Sequence, residues 1–409
     1  MPLPSPTSLP PERRRPWPAV VAIAATAASL ACGAALAAGK AAAVPDPLPP
    51  DPPLTTKPAI DARHHQRLYV PDLSISHISD GRIRVLDAVG GQFLGMISTA
   101  YVGNMALSPR RDEIYVATTH LSRSYRGDRA DVLEVYGADD LTLKYEVLLP
   151  PKRAQALNYR HLVAATANGR YVLVQNATPA TSVTVVDLKD RKVAAEIPNP
   201  GCWGMLPAAS HPTRFSSLCG DGTMLTVTLD EAGQPADRQS SAKLFDADQD
   251  AWFHNADRVG DRHWYVSFQG KVTELDLGGA SAQVVATHDL VATKAERAQG
   301  WRPGGYQNLA VDPSGRYLVA GMHPKGGEGS HKLPADRLWV MDLKTGKRVA
   351  KLPGNMAIAL TFSASGERLH VLDGATNTVH VMRWKDGRAR PLAKLAAVGE
   401  TVTQIESHD

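Results

Sequence analysis

The sequence predicts an all-β protein, a seven-bladed β-propeller, on three observations. A strand–turn–strand unit recurs seven times, its spacing is near that of propeller blades, and the composition is rich in turn-forming residues. The 409 residues include 33 Gly and 30 Pro, whereas aromatic residues make up only 6%. Beyond residue 37 no long stretch repeats its apolar residues with the helical period. Only residues 289–300 predict a short helix.

The recurring unit is an apolar strand, a turn and a second strand. It occurs at residues 82–97, 132–147, 183–197, 224–234, 272–285, 338–352 and 379–395. A partner unit, with a polar turn before alternating β-branched and aromatic residues, occurs at 106–118, 165–176, 310–321 and 361–373. About 340 residues over seven repeats gives roughly 49 per repeat, which is typical of a four-stranded blade. A pair of β-sandwiches is the alternative, and the regular spacing disfavours it.

Residues 1–37 predict a secretory signal peptide. Arg13–Arg15 form a basic region, Ala19–Leu36 form a small-apolar segment, and Ala35–Ala37 form an A-x-A cleavage site. We therefore expect a periplasmic protein without membrane attachment after cleavage. An uncleaved membrane anchor is the alternative, since the apolar segment is long enough to leave it open. The sequence leaves the export route, Sec or twin-arginine, undecided.

Residues 38–65 predict a proline-rich tail, and residues 66–409 the propeller. Seven of the fifteen residues from 44 to 58 are Pro, which excludes a helix or a central strand there. The whole chain has a formal net charge of +4. The signal segment carries three Arg and one Glu, so the remainder keeps a net charge of +2. A charge this small gives no reason to expect a nucleic-acid partner.

The cysteines predict one disulfide. Cys32 lies in the segment expected to be removed, which leaves Cys202 and Cys219, seventeen residues apart. Two cysteines in an exported chain usually pair, and two buried thiols are the alternative.

No catalytic motif stands out in the sequence. Phosphate-binding, dinucleotide, serine-hydrolase, zinc-protease and c-type haem signatures are all missing. The histidines are scattered along the chain, and no two of them stand at the spacing of metal ligands together with a third candidate ligand. We therefore expect no metal site among His64, His65, His254, His263, His323 and His331.

Two strings invite a functional interpretation. GWRPGGYQ (300–307) places Trp301 and Arg302 beside two glycines, where they form either an interface or a structural corner between blades. The long loop at 322–336 is flanked by His323 and His331, and is either a polar surface loop or a contact and ligand-channel loop.

The chain resembles the heavy (α) subunit of the quinoprotein amine dehydrogenases, closest to the aromatic amine dehydrogenase branch and next to methylamine dehydrogenase. The strings that carry the resemblance span nearly the whole body: YRGDRADVLEVY (125–136), LVQNATPATSVTVVDL (173–188), NPGCWGMLP (199–207), LCGDG (218–222), AERAQGWRPGGYQ (295–307) and HPKGGEGSHKLPADRLWVMD (323–342). The last of these strings favours the aromatic branch.

The resemblance implies a seven-bladed subunit with an internal disulfide matching Cys202 and Cys219, in a periplasmic heterotetramer of two heavy and two light subunits. The light subunit would carry tryptophan tryptophylquinone and the catalytic base, so this chain would hold no cofactor and no catalytic residue. The implied activity is the oxidative deamination of primary, aromatic amines to aldehyde and ammonia. Electrons would pass to a blue-copper protein of the azurin or amicyanin type.

The resemblance also implies that the heavy subunit supplies a docking face and part of the substrate channel. The family places an apolar residue at the channel mouth, which falls near Met105 with Tyr101 close by; Met105 as ordinary core is the alternative. Where related aromatic-branch sequences have an aromatic residue, this chain has Met105, which leaves the substrate preference open. Two other functions remain: a stand-alone exported propeller that binds a ligand or partner, and a propeller hydrolase or lactonase with a metal in its channel.

Overall fold

The computed structural model describes residues 66–408. The predicted signal peptide (1–37) and proline-rich tail (38–65) lie outside these residues. No helix within 66–408 is long and apolar enough to cross a membrane.

The first sheet is antiparallel and contains both ends of the described chain. Its strands are β1 (Arg67–Asp72), β2 (Gly81–Asp87), β3 (Phe93–Leu107), β4 (Glu113–Arg123), β5 (Arg126–Gly137) and β6 (Leu143–Leu149). The C-terminal strand pairs with β1, so that the end of the chain closes onto its beginning.

Three four-stranded antiparallel sheets follow along the chain. Their strands are β7 (Val163–Ala165), β8 (Tyr171–Asn176), β9 (Ser182–Asp187) and β10 (Lys192–Pro198), then β11 (Cys202–Pro207), β12 (Arg214–Cys219), β13 (Met224–Leu229) and β14 (Pro235–Ser240), then β15 (Asp257–Val259), β16 (Arg262–Val266), β17 (Lys271–Asp276) and β18 (Gln283–Asp289). Within each of these sheets the strands lie side by side in their order along the sequence. Every pair of neighbouring strands is therefore joined as a hairpin.

The last sheet has eight strands. They are β19 (Arg302–Pro303), β20 (Leu309–Val311), β21 (Tyr317–His323), β22 (Ala335–Asp342), β23 (Lys347–Phe362), β24 (Arg368–Asp373), β25 (Thr378–Lys385) and β26 (Arg388–Leu395). The C-terminal strand that closes onto β1 is β27 (Glu406–His408). The described helices are short: α1 (Ala247–Asp250), α2 (Lys294–Ala298) and two 3-10 turns, Ile75–His77 and Ser330–Lys332.

The structure confirms the all-β prediction and the hairpin pattern on which it rests. Each predicted strand–turn–strand unit is an antiparallel hairpin, from β2–β3 at 82–97 to β25–β26 at 379–395. The predicted short helix is α2, which begins with a capping box between Thr293 and Glu296. The sequence patterns did not predict α1, whose single turn is capped by Asp246.

Two long strands each pass from one four-stranded unit to the next. The first part of β3 pairs with β2 and the second part with β4, and β23 is shared between β22 and β24 in the same way. At both crossings the backbone turns through positive φ, a conformation that is rare outside Gly. The residues are Ala100, Val102, Asn355 and Met356.

The core lies between neighbouring sheets. In one cluster Tyr171, Leu173 and Val185 of β8 and β9 pack with Phe215 and Val227 of the following sheet. Because β8 and β9 are covered on both sides, every residue in both strands is buried. Continuous apolar runs of this kind are expected for strands sandwiched between two layers.

A disulfide joins Cys202 to Cys219. The two residues are direct partners in the β11–β12 ladder. The cross-link therefore fastens two adjacent strands of one sheet.

Candidate functional site

The long connections of the described chain gather at one end of the strands, which we call the loop face. Antiparallel alternation places at this end the long connections β1–β2 and β21–β22 and the segments that precede β7, β15, β20 and β27. The two-residue turn between β4 and β5 lies at the same end. At the opposite end, connections such as β2–β3, β9–β10 and β22–β23 are turns of four or five residues. Long excursions concentrated on one side of a short-looped fold indicate a functional or interfacial surface.

The two strings singled out from the sequence pair with each other on this face. The backbone nitrogen of Lys325 donates to Gln299 at 2.9 Å, and that of Gly326 donates to Gly300 at 2.7 Å. At the other end of the contact, Gly305 donates to the carbonyl of His331 at 3.0 Å. The GWRPGG segment and the loop after β21 therefore form one structural unit.

Glycine is required where the two segments touch. A Cβ on Gly304 would overlap the carbonyl oxygen of Leu333 and lie 2.7 Å from the ring of His323. Only a residue without a side chain allows this approach.

The base of this unit is fixed by a charged cluster around Glu296 of α2. Its carboxylate accepts hydrogen bonds from Arg348 at 2.6 Å and from Lys351 at 2.8 Å. Burial alone would raise the pKa of Glu296, but the hydrogen bonds from Lys351 and Arg348 prevail and lower it to about 2. The same cations lie over the ring of Trp339, at 4.2 Å for Arg348 and 4.5 Å for Lys351. Trp339 in turn packs against Trp301, with ring centroids 5.0 Å apart.

An open cavity of about 730 Å³ lies beside the paired segments. Its walls carry many aromatic rings: Tyr159, Trp252, Phe253, Phe268 and Tyr306. Arg302 and His331 also line it. The ring of Tyr159 lies edge-on to His254 at 4.8 Å and is 6.3 Å from Tyr306. Burial lowers the pKa of His254 to about 4, so its imidazole is neutral at pH 7.

The structure brings four of the six predicted site residues together. Arg302 and His331 line the cavity. His323 is buried next to Gly304, and its Nδ1 lies 3.1 Å from the carbonyl of Pro324. Trp301 lies on the core side of the same unit, against the cluster that contains Trp339.

The other two predicted residues lie on β3, in the first sheet. Tyr101 is half-buried at the loop-face end of its pairing with β4, where its direct partner is Thr119. Met105 is only 2% exposed and belongs to a core cluster with Ile114 and Val116. Of these two residues, Tyr101 is therefore the one near the loop face, and Met105 has the packing of a core residue.

A partly buried charge cluster that the sequence did not reveal lies among the strands, where its side chains are 11–20% exposed. The guanidinium of Arg160 donates to Glu406 at 2.6 Å, to Asp257 at 3.1 Å and to Thr361 at 2.9 Å. Burial alone would lower the pKa of Arg160, but the two carboxylates raise it above its ordinary value. Burial raises the pKa of Asp257, against the opposing effect of Arg160.

These four residues and Met105 line a second cavity of about 470 Å³. Within residues 66–408 no group of three or more His, Cys, Asp or Glu is arranged to hold a metal ion. The two carboxylates of the cluster are hydrogen-bonded by Arg160 instead.

Comparison with known proteins identifies the family. Residues 62–400 match the family model described as methylamine dehydrogenase heavy chain. The heavy chain of this name from Paracoccus versutus is 28% identical over 367 residues, covering 88% of this chain and 82% of the relative. That from Methylophilus methylotrophus is 25% identical over 299 residues, covering 72% and 71%.

Solved structures agree on the fold. The periplasmic gluconolactonase PpgL of Pseudomonas aeruginosa aligns with a TM-score of 0.56 at 15% identity, over 84% of this chain and 99% of that one. A putative 6-phosphogluconolactonase from Bacteroides uniformis aligns with a TM-score of 0.59 at 12% identity, with the same coverage. At these identities the similarity concerns the fold alone. The family match, by contrast, covers the whole described body apart from its last residues and confirms the resemblance read from the sequence: the chain belongs to the methylamine dehydrogenase heavy chain family.

Proposed function

We propose that this chain is the non-catalytic heavy subunit of a periplasmic amine dehydrogenase, built as a seven-bladed propeller. Its partner would be a light subunit that carries tryptophan tryptophylquinone and the catalytic residues, in a heterotetramer of two heavy and two light chains. The observation that carries this proposal is the family match over residues 62–400. The sharing of β3 and β23 between four-stranded units supports the blade count, because each long strand then serves two blades.

The loop face is the proposed docking surface for the light subunit. It displays Tyr101 and the paired segments that hold Trp301, Arg302, His323 and His331. Tyrosine, tryptophan and arginine are the residues most enriched at the energetic centres of protein interfaces. We propose that Tyr101 borders the substrate channel, and that Met105 supports it from the core.

Primary aromatic amines are the proposed substrates. The cavity of about 730 Å³ supports this preference, because five aromatic side chains line it within reach of the loop that contains His331. Aromatic walls favour an aromatic guest through edge-to-face and stacked contacts. The relatives named above are methylamine dehydrogenase heavy chains, so methylamine is the substrate against which the preference is to be measured.

Electrons would leave the complex through a blue-copper protein of the azurin or amicyanin type. In the overall reaction a primary amine and water yield an aldehyde, ammonia, two protons and two electrons, and the electrons pass to the copper protein one at a time. The disulfide between Cys202 and Cys219 supports an oxidising compartment such as the periplasm.

The test is purification of the tagged chain from the periplasm of its own source, followed by an absorption spectrum. We expect a small co-purifying chain with a quinone band that bleaches when tyramine or phenylethylamine is added, and bleaches less readily with methylamine. A reversed order of amines would keep the heavy-subunit assignment and overturn the aromatic preference. A colourless, monomeric product of about 40 kDa would overturn the assignment itself and favour a stand-alone propeller.

A further inference from the structure

The hairpin formed by β4 and β5 extends beyond the sheet to which it belongs. These strands have 11 and 12 residues, whereas β8 and β9 have six each. The flanking strands stop short: pairing with β3 ends at Thr119, and pairing with β6 ends at Asp131. Residues 120–130 therefore project from the loop face as a two-stranded arm, and we refer to them as the arm.

The tip of the arm combines an exposed aromatic ring with exposed cations. Tyr125 is 68% exposed, and the guanidinium carbon of Arg126 lies 5.4 Å from its ring centroid. Arg123 is exposed beside them, as the direct cross-strand partner of Arg126. Within residues 66–408 neither arginine has a carboxylate at ion-pair distance. Asp128 is the single acidic residue between 120 and 130, so the arm carries a net positive charge.

The base of the arm is rigid. Asp131 is 1% exposed, and the guanidinium of Arg129 donates to it at 2.8 and 2.6 Å. The hydroxyl of Thr119, on the opposite strand, donates to the same carboxylate at 2.7 Å. At the tip Gly127 has a φ of +101°, and a Cβ there would overlap the hydroxyl of Ser122. A two-stranded ribbon is marginal in water without such support, so the arm is held in place before any partner arrives.

We propose that the arm docks the light subunit, with Arg123, Arg126 and Tyr125 bound to an acidic patch on that partner. The inference rests on the proposed function and goes further, because it names the segment and the chemistry of the contact. Two observations favour this partner. The arm leaves the loop face beside Tyr101, whose strand pairs with Thr119 at the arm's base. Its exposed guanidinium groups and exposed phenol are suited to a carboxylate-bearing surface, since arginine binds carboxylates through two parallel hydrogen bonds.

The test compares heavy-chain variants expressed in the native source without the wild-type copy. The variants are the pair Arg123→Glu with Arg126→Glu, the single Tyr125→Ala, and the control Arg390→Glu on the outer strand β26. The readout is the quinone-bearing light chain retained per heavy chain over a dilution series, at low and high NaCl. Thermal unfolding of each purified heavy chain verifies that the propeller is intact.

We expect the charge-reversed pair to lower the apparent affinity for the light chain at least tenfold at low salt. Tyr125→Ala should lower the affinity for the light chain by a similar factor at low and at high salt. Arg390→Glu should keep the wild-type affinity. Salt should weaken the wild-type complex and leave the charge-reversed one little changed.

Three results would overturn the inference. Arm variants that keep wild-type affinity for the light chain would exclude the arm from that contact. Arm variants that keep the light chain but lose transfer of electrons to the copper protein would reassign the arm to the electron acceptor. If the wild-type chain itself retains no quinone-bearing partner, the proposed function fails, and the inference fails with it.

Discussion

The buried guanidinium of Arg153 donates a hydrogen bond of 2.7 Å to the carbonyl oxygen of Tyr101. From its Nε the same group donates to the hydroxyl of Thr119 at 3.0 Å. The backbone on either side of Tyr101 has positive φ, +42° at Ala100 and +53° at Val102, which is costly for residues with a side chain. Arg153 therefore fixes the strained segment that displays Tyr101, and connects it to the base of the arm.

Arg153→Lys should raise the KM for the amine more than it lowers kcat. Lysine keeps the charge but has no planar fork, so it does not reach Tyr101 and Thr119 together. Because Tyr101 would then lose its fixed position at the proposed channel mouth, we expect KM to rise several-fold and kcat to stay within about twofold. Steady-state kinetics of the purified complex with phenylethylamine measures both.

The neighbouring Lys152→Met is the matched control for this prediction. Lys152 forms a partly exposed ion pair with Glu196 on β10, away from Tyr101. Its loss should leave KM and kcat at wild-type values. A rise in KM in both variants would point to general loosening of the segment and contradict a specific role for Arg153.

Gly304→Ala should destabilise the protein by about 2 kcal/mol, because the new methyl group would press on backbone and on the ring of His323. Its control is Gly327→Ala in the facing loop, where a Cβ would have nothing within 4 Å. Urea unfolding of the two variants gives the free energies. Equal stability of both would show that the two segments separate readily, against the close pairing of their backbones.

The sequence predicted the features that depend on residues close together along the chain. The recurring strand–turn–strand pattern located the seven hairpins from β2–β3 to β25–β26, and residues 289–300 predicted the short helix α2. Contacts between distant segments were not predictable. Arg160 meets Glu406 across 246 residues, and no local pattern carries that information.

The candidate site shows the same contrast between local patterns, which the sequence reveals, and contacts between distant segments, which it does not. The strings at 295–307 and 323–342 stood out separately, yet their pairing depends on backbone hydrogen bonds, which leave no side-chain pattern in the sequence. The family resemblance placed the channel mouth near Met105, with Tyr101 close by. The fold separates them, because it turns Met105 into the core and leaves Tyr101 half-buried near the loop face.

Glu296→Gln should reveal a pH-dependent contribution to stability. The folded-state pKa of Glu296 is about 2, below its ordinary value near 4.5. The carboxylate therefore stabilises the fold above about pH 4.5, and this contribution is lost as the pH falls toward 2. We expect the variant to be less stable by about 1–2 kcal/mol at pH 7, since two cations lose a charged acceptor.

The measurement is urea unfolding of the wild type and the variant at pH 7, 5 and 3. The difference between them should be the same at pH 7 and 5 and smaller at pH 3. Glu367→Gln is the control, because Glu367 is exposed and lies 3.9 Å from Arg368. A difference that grows on acidification would contradict a lowered pKa of Glu296 in the folded protein.

Arg160→Met should be the most destabilising of these changes. It would leave the partly buried carboxylates of Glu406 and Asp257 without their cation. Removing one partner of a fully buried ion pair typically costs about 3–5 kcal/mol, and because these groups keep some contact with solvent we expect a loss of about 3 kcal/mol. Adding Glu406→Gln should restore part of the loss, because one uncompensated charge is then removed. Since Glu406 lies on β27, the single variant should also weaken closure of β27 onto β1. Hydrogen exchange of the β1 and β27 amides, with Arg390→Met as control, measures that effect. Unchanged protection in Arg160→Met would show that the strand pairing closes the fold without this charge cluster.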